Sequence, residues 1–118
     1  MAELSDFSES TIINYEEAMD RFGGNKELYM RLASKFADDP HHARLKEALA
    51  DSDIETAYRA AHSLKGVAGN LSFTDLYTVA TRVSDALHSA DVATALQNMD
   101  ELDSAYDAVK DALASLNS

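Results

Sequence analysis

Apolar residues three and four apart run through almost the whole chain, and this spacing constrains its fold more than any other feature. On a helix turning about 100° per residue, Ile54, Ala57, Ala61, Leu64, Ala68 and Leu71 make one stripe. Leu28, Tyr29, Leu32, Ala33, Phe36 and Ala37 make another, and Leu76, Val79, Ala80, Val83, Ala86 and Leu87 a third. Val92, Leu96 or Ala95, Met99, Leu102, Tyr106, Val109, Leu113 and Leu116 make the longest. One proline and four glycines leave little to interrupt these patterns. The spacing predicts an all-α fold, an antiparallel four-helix bundle with a short additional N-terminal helix and short connections.

Residues 1–118 read as a single domain, of which 1–11, polar apart from Leu4 and Phe7, are expected to fray. Asn14 with Glu17 is a capping box that opens a short helix over 14–22, closed by Gly23-Gly24. Asn25 caps the next helix. Asp38-Asp39-Pro40 interrupts that helix, either as a kink or by starting a new one with Asp39 as cap and Pro40 at its first position. Ser52 with Glu55 is a second capping box, opening a helix from Asp53 to Leu71 that spans roughly 28 Å. Ser72-Phe73 makes a turn, Thr74 caps the following helix, and Asp91 caps a last one running unbroken to the C-terminus.

Ten Lys and Arg against 21 Asp and Glu give a formal net charge of −11, which repels phosphate backbones and anionic lipid. Neither nucleic acid nor membrane is an expected partner. No cysteine is present, so disulfide and thiolate chemistry are excluded. The first residues carry Glu3, Asp6 and Glu9 and no apolar run, and no stretch approaches the roughly 20 apolar residues of a membrane span. A cytoplasmic, stand-alone chain is the expectation, and a monomer, because each helix offers one buried stripe.

On the 54–71 helix, His62 points about 150° away from the centre of the apolar stripe, and Gly66 and Gly69 share its side. Two glycines in an exposed helix cost roughly 0.8–1 kcal/mol each relative to alanine, so they ask for a reason. An imidazole in water keeps a free lone pair near neutral pH, and it serves as base, metal ligand or nucleophile. A base needs a pocket and an orienting carboxylate, which local spacing does not supply. A metal needs another ligand one turn away, where the chain has Tyr58, Arg59, Lys65 and Gly66. What remains is nucleophilic attack on phosphorus. Lys65 and Arg59, each one turn from His62, then offset the phosphoryl charge. Gly66 and Gly69 give clearance for another protein's phosphorylated site, with Tyr58 at the rim of the docking surface.

Ala61-His62-Ser63-Leu64-Lys65-Gly66-x-Ala68-x-x-Leu71 resembles the signature of histidine-containing phosphotransfer (HPt) domains, intermediates of multistep phosphorelays. Tyr15-Glu16-Glu17-Ala18-Met19-x-Arg21-Phe22-Gly23-Gly24-Asn25 is similar to the segment that precedes the second helix of such domains. The resemblance implies a four-helix bundle whose exposed histidine takes a phosphoryl group from an aspartyl phosphate on a response-regulator receiver domain and passes it on. The partners it implies are receiver domains, a hybrid histidine kinase, or both. It also implies that His62 is the phosphoacceptor, Lys65 the electrostatic helper and Gly66 the clearance residue. The chain binds no cofactor of its own, and Mg²⁺ belongs to the receiver. Ser72 departs from the pattern, which often has glycine there.

Other readings compete. His62 and Lys65 taken singly are ordinary surface residues, and a helical interaction module without chemistry would carry them equally well. A phosphoacceptor and dimerisation domain of a sensor histidine kinase is also helical with an exposed histidine, but it typically has an acidic residue next and a proline soon after. Here Ser63 follows His62 and no proline comes after Pro40. No glycine-rich phosphate loop is present, so the chain reads as a phosphotransfer intermediate and not an enzyme. His41 and His42, adjacent on a helix, point about 100° apart and make a poor metal pair, and no metal site is expected. His88 suits a helix C-terminus. Tyr58, Tyr77 and Tyr106 read as half-buried packing residues.

Overall fold

The computed structural model describes residues 11–116, and these are all-helical, with no strand among them. Thr11 and Ile12 are helical at the edge of the described chain. Seven further helices follow: α1 (Tyr15–Arg21), α2 (Lys26–Ser34), α3 (His41–Ala50), α4 (Ile54–Asn70), α5 (Thr74–His88), α6 (Val92–Gln97) and α7 (Met99–Leu116). Leu4 and Phe7 lie outside the described residues, as does the segment expected to fray except for Thr11.

α4 is the hub, packing most extensively on α5 and α3, while α5 also carries α6 and α7. Ala57, Ala60, Ala61, Leu64 and Ala68 are the buried face of α4. They join Leu45 and Ala48 of α3, Leu76, Val79, Ala80, Val83 and Leu87 of α5, and Leu102, Val109 and Leu113 of α7 in one core. Four alanines on one face let the neighbouring helices come close to the α4 backbone, since side-chain size sets interaxial distance. The stripes seen in the sequence mostly coincide with these buried faces, but Ala37, counted in the second stripe, is exposed. Ile54 at the start of α4 is only partly buried.

Several helix ends differ from expectation. α4 is capped by Asp53, whose carboxylate accepts the Thr56 amide at 3.2 Å and hydroxyl at 2.8 Å. Ser52, read as the cap, instead sits one residue earlier in the left-handed conformation at φ 57°. Phe73 and not Thr74 occupies the cap position of α5, and no side chain bonds there. At Asp39-Pro40 the chain starts a new helix: α2 runs into a 3₁₀ turn at Lys35–Asp38, and Asp39 Oδ2 accepts the His41 amide at 3.1 Å.

The last helix is broken, contrary to the unbroken run expected. Asp91 caps α6 as anticipated, through the Thr94 amide at 3.2 Å. At Asn98, however, the backbone N–H bonds to Ala95, and the side-chain Nδ2 donates to the Thr94 carbonyl at 2.8 Å. The asparagine side chain thus takes the acceptor that its own backbone N–H would use in a continued helix. The break puts Ala95 in the core and leaves Leu96 53 % exposed.

The start of α1 rests against the turn after α4. The final carbonyls of a helix have no intrahelical partner, and three in a row here are met from the N-terminal elements. Asn70 O accepts from Arg21 Nη1 at 3.2 Å, Leu71 O from the Tyr29 hydroxyl at 2.7 Å, and Ser72 O from the Asn14 amide at 2.8 Å. These bonds fix the end of α4 nearest the exposed glycines.

Candidate phosphotransfer site

The polar face of α4 carries His62 and Gly66 exposed to solvent, with Lys65 and Gly69 half-buried beside them. They share an open groove of about 420 Å³ with Arg21, Asn70 and Tyr77. The floor is set by the burial of Ala61, Leu64 and Ala68 on the other face of the same helix, which fixes the direction in which His62 stands.

His62 forms no hydrogen bond or ion pair among the described residues, and its ring lies 5.8 Å from that of Tyr58. Tyr58 in turn lies 5.3 Å from His88, so a row of three rings crosses from α4 to the end of α5. Of the other histidines, His88 is exposed at the end of α5 but has no glycine beside it, and the remaining two are engaged. His41 Nδ1 is 2.6 Å from Asp39, and His42 Nε2 is 2.7 Å from Asp103 while its ring stacks on Tyr106 at 3.9 Å. His62 is therefore the histidine that combines exposure, an unoccupied ring and bare backbone one turn away.

The two glycines differ. A Cβ on Gly66 would meet nothing within 4 Å, whereas on Gly69 it would stand 3.1 Å from the Tyr77 ring. Open approach exists at Gly66, and the space at Gly69 is filled by tyrosine. Tyr77 itself is 41 % exposed and lines the groove, where the sequence suggested half-burial. Tyr58 is half-buried and Tyr106 buried.

Lys65 has no ion pair among the described residues and lines the groove. Arg59 points its guanidinium to Glu55 at 2.7 Å, and both side chains are largely exposed. It does not line the groove. The cation that does so besides Lys65 is Arg21, which the sequence alone does not single out. Its Nη1 bonds Ser72 Oγ at 2.6 Å and Asn70 O, and Nη2 lies 3.7 Å from Glu17. Nothing local in the sequence signals this, because a basic residue in the last turn of a helix is ordinarily explained by the helix dipole.

At the turn after α4, burial first and Tyr15 second push the Tyr29 hydroxyl above the usual phenol range, against the pull of Arg21. It stays a donor to Leu71 O.

The Hpt domain family model matches residues 39–112. The chain belongs to the Hpt domain family. Comparison with curated proteins and with solved structures returns no significant match. Hpt domains are phosphotransfer modules of two-component phosphorelay signalling, without an ATP-binding module of their own, and they interact with receiver domains and histidine kinases. The match spans α3 to most of α7, including the whole of α4. Arg21 and Tyr29 reach the end of α4 from outside the matched stretch. Among the described residues no helix is long and apolar enough to cross a membrane.

Ser72, where the Hpt pattern often has glycine, adopts φ 62°. That is the left-handed region in which glycine carries no Cβ penalty. Serine here is buried, and its hydroxyl donates to Glu17 Oε1 at 2.9 Å while accepting from Arg21.

Proposed function

We propose that this Hpt domain is a phosphorelay intermediate in which His62 is the phosphoacceptor. The observation that carries the reading is the exposed, unoccupied imidazole of His62 on a helix whose opposite face is the core, with open backbone at Gly66 and the Lys65 cation in the same groove. In transfer, an imidazole nitrogen lone pair attacks phosphorus. The N–P bond forms as the P–O bond to the receiver aspartate breaks, and the carboxylate leaves with the electron pair. The ring keeps its proton on the other nitrogen, so the step needs no general base.

Lys65 offsets the phosphoryl charge. Arg59, exposed and held only by an exposed glutamate, is free to turn toward the same charge, since such surface pairs hold by about 0–1 kcal/mol. Gly66 lets the receiver's active site approach, Gly69 admits Tyr77 to the groove wall, and Tyr58 forms the rim. Mg²⁺ is supplied by the receiver, and this chain contributes no cofactor. We further read α3, α4, α5 and α7 as an antiparallel four-helix bundle, with the N-terminal helices as an addition, and the chain as a cytoplasmic monomer.

The test is incubation with receiver domains charged on aspartate, reading an acid-labile, base-stable adduct. Wild type is expected to take label and His62→Gln to take none. If no receiver from a broad panel labels the wild type, the relay reading is wrong; label on His62→Gln would move the site elsewhere.

A further inference from the structure

Serine at position 72 occupies a conformation that favours glycine, and a buried serine in such a turn needs compensation. Its hydroxyl supplies it by holding two side chains of α1 at once: it donates to Glu17 and accepts from Arg21. Arg21 is further fixed by the carbonyl of Asn70, and it lines the groove that holds His62 and Lys65. The hydroxyl therefore orients a cation that comes from a different helix than the histidine does. Glu17, 3.7 Å from Nη2, is the anion that now competes for that cation.

We infer that Arg21 is a further cation of the phosphoryl site, lining the groove beside Lys65, that Ser72 positions it, and that Glu17 sets how much of its charge is available. This rests on His62 being the acceptor. When a dianionic phosphoryl group enters the groove, Arg21 gains a stronger partner than the neutral Ser72 hydroxyl, because the guanidinium then pairs, bidentately if both nitrogens reach, with an acceptor that carries full negative charge. Beyond Lys65 and Arg59, retention of the phosphoryl group then depends on three further residues: Arg21 favours it, Glu17 opposes it and Ser72 aims the cation. A glycine at position 72 would leave Arg21 held by Asn70 and Glu17 alone.

The experiment measures how phosphoryl partitions between one charged receiver and this chain at equilibrium, together with urea unfolding of each variant. Arg21→Gln is expected to shift the partition toward the receiver by about tenfold, with Arg21→Lys in between. Glu17→Gln should shift it the other way. Ser72→Gly should unfold at equal or higher urea because φ 62° suits glycine, yet lose about threefold in retention. A purely structural brace predicts that Arg21→Gln and Glu17→Gln both lower stability and leave partition alone. Partition by Arg21→Gln within twofold of a labelled wild type would overturn the inference, as would the same direction of shift for Glu17→Gln and Arg21→Gln. Failure of the wild type to take label would instead overturn the assignment of His62.

Discussion

The Tyr77 ring lies against Gly69, so that a Cβ on the glycine would come within 3.1 Å of Cδ1 and Cε1. One turn earlier, Gly66 faces open space. The same residue type is thus present for two reasons, one to admit a neighbouring ring and one to leave the approach to His62 clear. Gly66→Ala should raise stability by about 1 kcal/mol, the usual helix-interior gain, while slowing phosphotransfer by about tenfold through the added methyl on the docking face. Gly69→Ala should gain less, because the ring must yield a few tenths of an ångström. In a Tyr77→Ala background the Gly69→Ala gain should grow. Urea unfolding of the four proteins checks this, and an equal gain in both backgrounds would remove the Tyr77 contact as the reason for Gly69.

The hydroxyl of Tyr29 ties α2 to the last turn of α4 at Leu71. Tyr29→Phe should cost about 1 kcal/mol at neutral pH, the net worth of such a bond. The alkaline side follows from the direction of its shift. The folded value lies above the unfolded one near 10.0, so the stabilisation is complete below that pH and is lost as pH rises past it. Tyr106 adds the same sign, raised chiefly by burial and then by Asp39 and Asp107. The fall in stability above pH 10 should therefore be shallower in Tyr29→Phe than in wild type, though not abolished. Identical slopes would show that Tyr29 does not ionise in that range on unfolding.

Asp53 and Asp91 cap their helices in the same way, each bonding a threonine three residues on through both its hydroxyl and its amide. The threonine hydroxyl first and the amide second hold each carboxyl below the ordinary 3.8. A depressed folded value means that the stabilisation is present above the unfolded value and is lost as pH falls through the folded one. Asp53→Asn with Asp91→Asn retains an oxygen for the amide but removes the charge. The double variant should unfold slightly earlier than wild type at neutral pH and show a flatter loss of stability below about pH 4. Acid titration followed by circular dichroism decides it; parallel acid limbs would exclude the caps as its source.

The all-α class and the buried faces were legible because periodicity records which side of a helix is dry, and Ala57, Ala61, Leu64 and Ala68 alternate without ambiguity. His62, Lys65 and Gly66 were legible for the same reason, since they fill the opposite side of one helix. The helix ends were less so. Ser52-Glu55 and Asp53-Thr56 are both acceptable caps in sequence, and only the turn geometry chooses between them. The break at Asn98 arises from one side chain taking a backbone acceptor, which leaves the apolar spacing intact on paper. Arg21 was invisible because it reaches the groove across the fold, and its partners Ser72 and Asn70 are not sequence neighbours.

α1, α3, α4 and α5 all end in the same pair of capping bonds, in which the residue after the cap is left-handed and the next amide returns to a carbonyl of the last turn. These return bonds run from Gly24 to Met19, Asp53 to Ala48, Phe73 to Ala68 and Asp91 to Ala86, each at 2.8 Å. Only the first of the four turns has glycine in the left-handed position, at Gly23; the others use Ser52, Ser72 and Ala90 at φ 57°, 62° and 61°. A side chain there costs roughly 1–2 kcal/mol, and glycine returns part of this gain as unfolded-chain entropy. Ser52 and Ala90 are exposed, and neither side chain makes a hydrogen bond among the described residues. Ser52→Gly and Ala90→Gly should each raise stability by about 0.5–1 kcal/mol, and together additively, because they close different turns. Phosphotransfer should be unchanged, since neither turn borders the groove at His62. Thermal and urea unfolding of the two single variants and the double variant test the point; a loss of stability at either site would mean that the turn is not held left-handed in solution.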